Sequence, residues 1–564
     1  MKRNIIKIYF ILLPLVTGSF IVNGQLSKSI QSSEKLDLFS DRTLYIAGEP
    51  ILFSAFLQSE SETKQPESSR VLYCDLITPD GNRVAGNKYL IENSSASGYL
   101  NIPMDITTGI YYLRAYTKFM RNYGPSYYHY TGIKVINSNR SEVQAVADNN
   151  SISESLYVEV NPEDTANIFL ITTDKTQYAP RDTIHLSIEA IETNHSSWKG
   201  LNLAVVPEFS SSTTIVKPPE NEQLDKKLFY YPETRGLSIT GKLTNAATGN
   251  PLAGRLVNLS IIGRGMDFMA MYTDSEGRFY FSLPDYTGYR DLFLCSGNNR
   301  TSDSKILVDN DFCPIPVHIP SNIFSLTRQE RETGFNMAVN LQLESFFKVD
   351  SVTDAMTDQS EVLAFYGKPS EILNIDNYVN LPTLEEYFNG LPTLVKVRKR
   401  QGEKYFKVLG TQSALTDFDP LVLVDLVAVG DPSKVLAISP TNISRIEVVN
   451  SLYVKGDCTY GGIINIISKH GDFAGINLPS SGIFVNFGFL ADSCCSQRFH
   501  QPILHFPDTR NTLYWEPQLK LSKGNSANVS FTVSDTPGKY LIILNGINSK
   551  GEIFRQTSTI EVLK

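Results

Sequence analysis

The sequence predicts a mainly β protein: tandem β-sandwich domains plus one small α+β domain. Aromatic residues make up 11% of the chain, with two Trp against 28 Tyr and 30 Phe, a composition suited to half-buried strands. Apolar residues alternate over short runs bounded by turn-forming residues, as where Pro79-Asp80-Gly81-Asn82 follows the alternating stretch 71–77. One motif also recurs. Asp41-Arg42-Thr43-Leu44-Tyr45, followed by Gly48-Glu49, Ile51 and Phe53, is matched at one constant offset by Asp174-Lys175-Thr176-Gln177-Tyr178, Arg181-Asp182, Ile184 and Leu186. Repetition at domain length implies two related sandwiches in tandem.

At 564 residues the chain must divide into several domains, because single cores stop growing beyond about 250–300 residues. Residues 1–24 read as a signal peptide. Lys2, Arg3 and Lys7 precede an apolar run over 8–16, and Val22-Asn23-Gly24 offers a cleavage site that leaves Gln25 as the mature start. The run is too short to span a bilayer comfortably, and no later apolar stretch reaches the roughly 18 residues a spanning helix needs. The mature chain is therefore expected to carry no membrane-spanning segment.

Residues 25–140 read as the first sandwich, ending in the long strand Gly109-Ile110-Tyr111-Tyr112-Leu113-Arg114-Ala115-Tyr116, and 155–230 as the second. Between them the chain is polar and unpatterned. Over 237–315 the texture changes to short strands around Thr248-Gly249-Asn250 and Ser275-Glu276-Gly277, which predicts a third, smaller sandwich. Residues 320–360 form a connector whose segment 326–347 is the best helix candidate. Residues 361–475 mix a helix at Thr383-Leu384-Glu385-Glu386, a hairpin around Gln401-Gly402, and short buried strands at 421–424, 446–449 and 463–467. Residues 476–564 return to alternation and read as a separate C-terminal sandwich.

Three resemblances follow. Asp41-Arg42-Thr43-Leu44-Tyr45-Ile46-Ala47-Gly48-Glu49 and the strand ending Ala115-Tyr116-Thr117 resemble the macroglobulin-type domains of alpha-2-macroglobulins and their bacterial relatives. Residues 237–294 resemble the carboxypeptidase regulatory-like (transthyretin-like) module, which is a non-catalytic sandwich. Pro420-Leu421-Val422-Leu423-Val424-Asp425, Ile438-Ser439-Pro440 through Val449, and Tyr460-Gly461-Gly462-Ile463-Ile464-Asn465-Ile466 resemble the plug domain of TonB-dependent outer-membrane receptors. That resemblance implies a strand, a short helix started by Pro440 and a second strand around a small core. Two positions depart from the plug pattern. Leu426 stands where the family has Gly, and Gly462 follows Gly461 without the usual intervening residues.

The inventory of chemistry argues for binding. A net charge of −8 opposes nucleic acid, which needs a basic face. Seven scattered His form no metal-ligand motif, His500 and His505 read as surface residues, and no Gly-x-Ser-x-Gly elbow is present. No catalytic residue, metal or cofactor is expected. The Cys494-Cys495 pair lacks CxxC spacing, while Cys295 and Cys313 are a candidate disulfide or else isolated buried thiols. Lys396, Arg398, Lys399, Arg400 and Lys404 form a basic hairpin that is either a solvated face or a contact for acidic partners. Tyr127 and Tyr128, beside Pro125, read as strand-edge packing or an aromatic contact surface. No Cys-Gly-Glu-Gln thioester run exists, which counts against a macroglobulin-like protease trap. After 475 too little chain remains for a barrel of at least eight strands.

The sequence thus points to a non-enzymatic binding or scaffold protein of a Gram-negative cell envelope. Its expected location is the periplasm or the outer membrane, and its expected partners are envelope proteins. The alternative is a gating or docking subunit for a separately encoded outer-membrane barrel.

Overall fold

The computed structural model describes residues 34–59, 68–144, 157–159, 168–191, 198–212, 214–216, 230–263, 267–297, 304–319, 323–347, 364–391, 393–400, 402–478, 482–492, 506–522 and 525–564. The signal-peptide reading of 1–24, and His500, His505, Cys494 and Cys495, lie outside the described residues.

The chain is mainly β and built from sandwiches, as its alternating runs predict. In the first sandwich, Glu34–Ser40, Pro50–Ser59 and Ser95–Asn101 face a larger sheet. That sheet runs Arg83–Leu90, Val71–Ile77, Gly109–Tyr116 and His129–Ile136, then adds two short strands from further along, Thr214–Val216 and Tyr157–Glu159. Every residue of Val71–Ile77 and Gly109–Tyr116 is buried, so these strands are covered on both faces. Within them Arg114 and Asp75 form a bidentate pair, at 2.8 and 2.6 Å, which compensates two charges that burial would otherwise penalise.

The second sandwich corrects an expectation. Phe169–Thr173, Gln177–Tyr178, Thr183–Ala190 and Trp198–Pro207 do not close a core of their own. Ser526–Thr532 pairs antiparallel with Thr183–Ala190, Gly538–Asn548 with Trp198–Pro207, and Ile553–Val562 parallel with Gln177–Tyr178. Ile184, Leu186, Leu203 and Val205 share one core with Phe531, Ile542, Leu544 and Ile560. The C-terminal strands therefore complete the second sandwich and do not form the separate domain expected over 476–564. The four earlier strands alone would leave an apolar sheet face in water.

The third sandwich is split in the same manner. Ser238–Asn245, Arg278–Ser282 and Ser304–Val308 form one sheet. Leu256–Ile261, Asp267–Tyr272 and Tyr289–Ser296 form the other, which takes its last strand, Gly482–Gly488, from beyond the α+β domain. The domains are nested. The α+β domain is inserted in the third sandwich, and both lie within the second.

The α+β domain has a mixed sheet ordered Glu371–Asn374, Ile443–Val449, Ile463–Ser468, Leu421–Val424 and Val427–Ala428, with Leu421–Val424 parallel to Ile463–Ser468. The hairpin Val395–Arg400/Glu403–Val408 and helix α2, Leu384–Gly390 capped by Thr383, stand where the sequence puts them. Helix α1, Arg328–Phe347, is the expected connector helix. Pro440 starts only a single 3-10 turn, Pro440–Asn442. The short helix α3 lies earlier, at Pro432–Leu436, where the Asp431 side chain caps Ser433 N at 2.9 Å and Pro432 supplies a first-turn residue that needs no N–H partner.

The repeated turn explains its own sequence. In the first copy the Tyr45 hydroxyl donates to Asp41 Oδ1 at 2.6 Å, and Asp41 Oδ1 also accepts from Leu52 N at 3.2 Å. In the second, Tyr178 donates to Asp174 Oδ1 at 2.7 Å, which also accepts from His185 N at 2.9 Å. Glu49 accepts from Ile46 N at 2.8 Å, and Asp182 from Ala179 N at 3.1 Å. Aspartate, tyrosine and the later acid recur because each ties off backbone groups that the turn leaves unpaired.

Candidate functional site

The α+β domain is fused to the third sandwich by buried contacts. Phe268, Ala270, Phe293 and Cys295 of the sandwich belong to the same apolar core as Leu423, Val427, Ile446 and Ile464. Polar contacts fix the register. Ala428 N donates to Ser260 Oγ at 3.0 Å, the Cys295 thiol to Ala428 O at 3.3 Å, and the Tyr460 hydroxyl to Asn258 Oδ1 at 3.0 Å. Gly461 and Gly462 admit the close approach behind Tyr460. A Cβ on Gly461 would sit 2.3 Å from the carbonyl oxygens of Leu415 and Phe418, and Gly462 has φ +94°.

Beside this seam opens a cleft of about 840 Å³. The sandwich contributes Leu256, Asn258 and Tyr272. The α+β domain contributes the hairpin residues Arg400, Gly402, Glu403, Lys404, Tyr405 and Phe406, the lip Asp417-Phe418-Asp419 and the start of α3. Tyr272 and Phe418 are exposed, so both walls present aromatic surface. Asp417, Glu403 and Arg400 are exposed around the rim, and Lys404 is paired with Glu385. Aromatic faces with polar groups at their edges suit binding of an amphipathic ligand by stacking and hydrogen bonding. Among the described residues no group of three or more His, Cys, Asp or Glu could hold a metal ion. No described helix is long and apolar enough to cross a membrane.

The structure separates the residues the sequence singles out. Arg398, Lys399 and Arg400 are exposed, and only Arg400 of these lines the cleft. Lys396 is half-buried and turns inward, donating to Phe388 O at 3.3 Å and Leu391 O at 3.5 Å. Tyr127 is exposed, whereas Tyr128 is buried, stacked on Tyr116 at 4.5 Å with its hydroxyl on Cys313 Sγ at 3.4 Å. Tyr128 is core packing and no part of a surface. Cys295 and Cys313 are free thiols, because they sit in different cores, one under the α+β domain and the other under the first sandwich. Burial pushes the Cys295 thiol up to about 12 and the Cys458 thiol up to about 11, so both stay protonated and unreactive near neutrality. Tyr272, Asp417 and Phe418 had no signal in the sequence, since periodicity does not report which loops converge.

The class these features define is a mainly β, multidomain protein of interlocked sandwiches. No family profile matches the chain, and no curated protein matches it. Among solved structures it has weak similarity to a Salmonella alpha-2-macroglobulin mutant, with 10% identity, a TM-score of 0.24, 94% of this chain covered and 40% of that one. The native E. coli alpha-2-macroglobulin gives 10% identity and a TM-score of 0.24, over 95% of this chain and 40% of that one. The Yersinia pseudotuberculosis adhesin InvE gives 13% identity and a TM-score of 0.13, over 48% of this chain and 57% of that one. The chain thus spans about two fifths of the length of the macroglobulins it matches.

Proposed function

We propose that this chain is a non-catalytic binding or scaffold protein of the Gram-negative cell envelope, exported to the periplasm or the outer membrane, with the inter-domain cleft as its ligand site. The observation that carries the reading is the shared core between the third sandwich and the α+β domain. A plug that served a separate barrel would need its surface free. Here one flank is covered by the chain's own sandwich, and the strand that follows the domain, Gly482–Gly488, is paired into that sandwich.

A second reading, docking of the α+β domain on a separately encoded barrel, draws support from one feature, the exposed Arg398, Lys399 and Arg400 of the hairpin.

Affinity capture from cross-linked envelope extracts separates the two. With the mature chain as bait, the scaffold reading expects Tyr272→Ala with Phe418→Ala to abolish capture of specific partners without lowering the melting temperature. Loss of a barrel protein on Arg398→Glu with Lys399→Glu, and no effect of the cleft pair, would favour docking instead. Turnover of a peptide or ester substrate that a single substitution abolishes would overturn the non-catalytic reading.

A further inference from the structure

Helix α1 packs one side on the protein and carries large apolar residues on the other. Its inner face carries Gly334, Met337 and Asn340, all buried. A Cβ on Gly334 would meet Ile136 Cδ1 at 2.6 Å, so the helix lies tight against the first sandwich. Lys134 pairs with Glu330 at 2.6 Å, Thr333 donates to Glu208 O at 3.0 Å, and Asn340 donates to Asn511 Oδ1 at 2.9 Å. These contacts from three directions fix the rotation of the helix about its axis. The outer face is therefore held in one orientation, and between Glu332 at one end and Gln342 further along it carries large apolar side chains. Phe335 is 69% exposed, Val339 39%, Leu343 39% and Phe346 82%, with Phe347 beside them at 38%. Spacings of three and four residues place them on one stripe.

We propose that this stripe is the seam of a homodimer, in which α1 packs antiparallel against α1 of a second copy of the chain. The order of side chains along the stripe supports a second copy. It runs aromatic, aliphatic, aliphatic, aromatic, from Phe335 through Val339 and Leu343 to Phe346. Reversing the helix reproduces that order, so a two-fold axis near the stripe's midpoint sets Phe335 against Phe346 of the other copy and Val339 against Leu343. A patch that complements itself under a two-fold rotation is what an isologous interface requires.

Area and charge agree. Taking large aromatic side chains at about 150–250 Å² each and allowing for partial exposure, the stripe presents roughly 500 Å² per copy, in the upper part of the about 300–600 Å² range of a monomer's largest patch, which is often functional. Two copies bring the total to about 1,000 Å², the lower bound for a specific interface. The last turn of α1, Glu344 to Phe347, carries an acid and no base. An antiparallel copy brings the exposed Arg331 of its first turns to that end. A membrane surface fits less well, since α1 has two Arg against three Glu, whereas helices lying on anionic lipid are rich in Lys and Arg.

The test is sedimentation of the mature chain over a concentration series, together with Phe335→Glu and Phe346→Glu. The proposal expects a monomer–dimer equilibrium, weakened at least tenfold by either substitution. The melting temperature of dilute protein should not change, because both side chains are exposed in the monomer. A register test accompanies it. Val339→Cys mixed with Leu343→Cys should form an intermolecular disulfide on mild oxidation, and each alone should form less. A chain that stays monomeric throughout, or a dimer indifferent to both glutamates, overturns the proposal. Cross-linking by Val339→Cys alone as efficient as in the mixture overturns the antiparallel register. A monomer that floats with phosphatidylglycerol vesicles, and loses them on Phe346→Glu, assigns the stripe to lipid instead.

Discussion

The two copies of the repeated turn share a backbone and differ in almost everything around it. In the first, Arg42 bridges Asp41 at 3.0 Å and Glu49 at 2.8 Å, and all three side chains are nearly inaccessible. In the second, the equivalent Lys175 reaches Asp182 at 3.5 Å in the open. The cover is the cause. Thr512 donates to Asp41 Oδ2 at 2.7 Å, and Asn511 donates to Glu49 Oε1 at 2.7 Å and to Met337 O of α1 at 3.1 Å. The segment leading into the C-terminal strands and the connector helix thus meet over the first turn. The same motif acts as a buried keystone between domains in one copy and as a solvated hairpin in the other.

Charge follows cover. Burial pushes the Asp41 carboxyl above its ordinary range despite Arg42, because one guanidinium serves two buried carboxylates. Burial also works against the Arg42 charge, but Glu49 and Asp41 outweigh it and hold the guanidinium protonated. At Asp174 the direction reverses. The His185 backbone N–H and the Tyr178 hydroxyl hold that carboxyl below its ordinary range, with hardly any burial to oppose them. One sequence motif therefore titrates in opposite directions at its two sites.

The sharpest way to break this comparison is to remove the base from each copy. Arg42→Ala strands two buried carboxylates and should cost about 3–5 kcal/mol in urea unfolding. Lys175→Ala removes an exposed, loosely paired charge and should stay within about 0.5 kcal/mol. Equal costs at the two positions would remove the distinction between them.

A smaller effect concerns acid. Because the Asp174 pKa is depressed on folding, its contribution is present above the unfolded carboxyl range and is lost as pH falls through the folded value, below about pH 4. At Asp41 the raised value gives the opposite sign, so acid does not weaken that site through this group. The urea midpoint of Asp174→Asn should therefore fall less steeply with acid than that of the wild type. Identical slopes would show that the second turn contributes no carboxylate term.

Much of this was legible in the sequence. The repeat, the hairpin, the connector helix and the short strands near 421, 446 and 463 all announce themselves through local pattern and turn residues. What was hidden depends on contacts between distant segments. Nothing in the alternation of 519–563 says that Ile184 will face Phe531, because periodicity marks which face is apolar and never names the partner strand. Nesting of one domain in another is invisible for the same reason. Tyr128 looks like its exposed neighbour Tyr127 until Tyr116 and Cys313 close over it. Leu426 shows how a departure from a pattern is absorbed. With Asp425 it forms a turn with φ of 48° and 67°, strained for Leu. Asp425 is held there by accepting from Ser468 N at 2.8 Å, Ser468 Oγ at 2.6 Å and Phe473 N at 2.9 Å.

The C-terminal strands that complete the second sandwich are the central closure of the fold, since the third sandwich and the α+β domain are inserted in the chain between the two halves of that sandwich. His185 and Ser530 are exposed register partners, with Nδ1 and Oγ 3.0 Å apart. Replacing both with Cys and mapping disulfides by mass spectrometry after mild oxidation tests the closure directly. The account predicts a bond joining positions 185 and 530 in the monomer, with a raised melting temperature. Thiols that stay reduced at both positions, in a chain whose 506–564 segment folds when expressed alone, would contradict it.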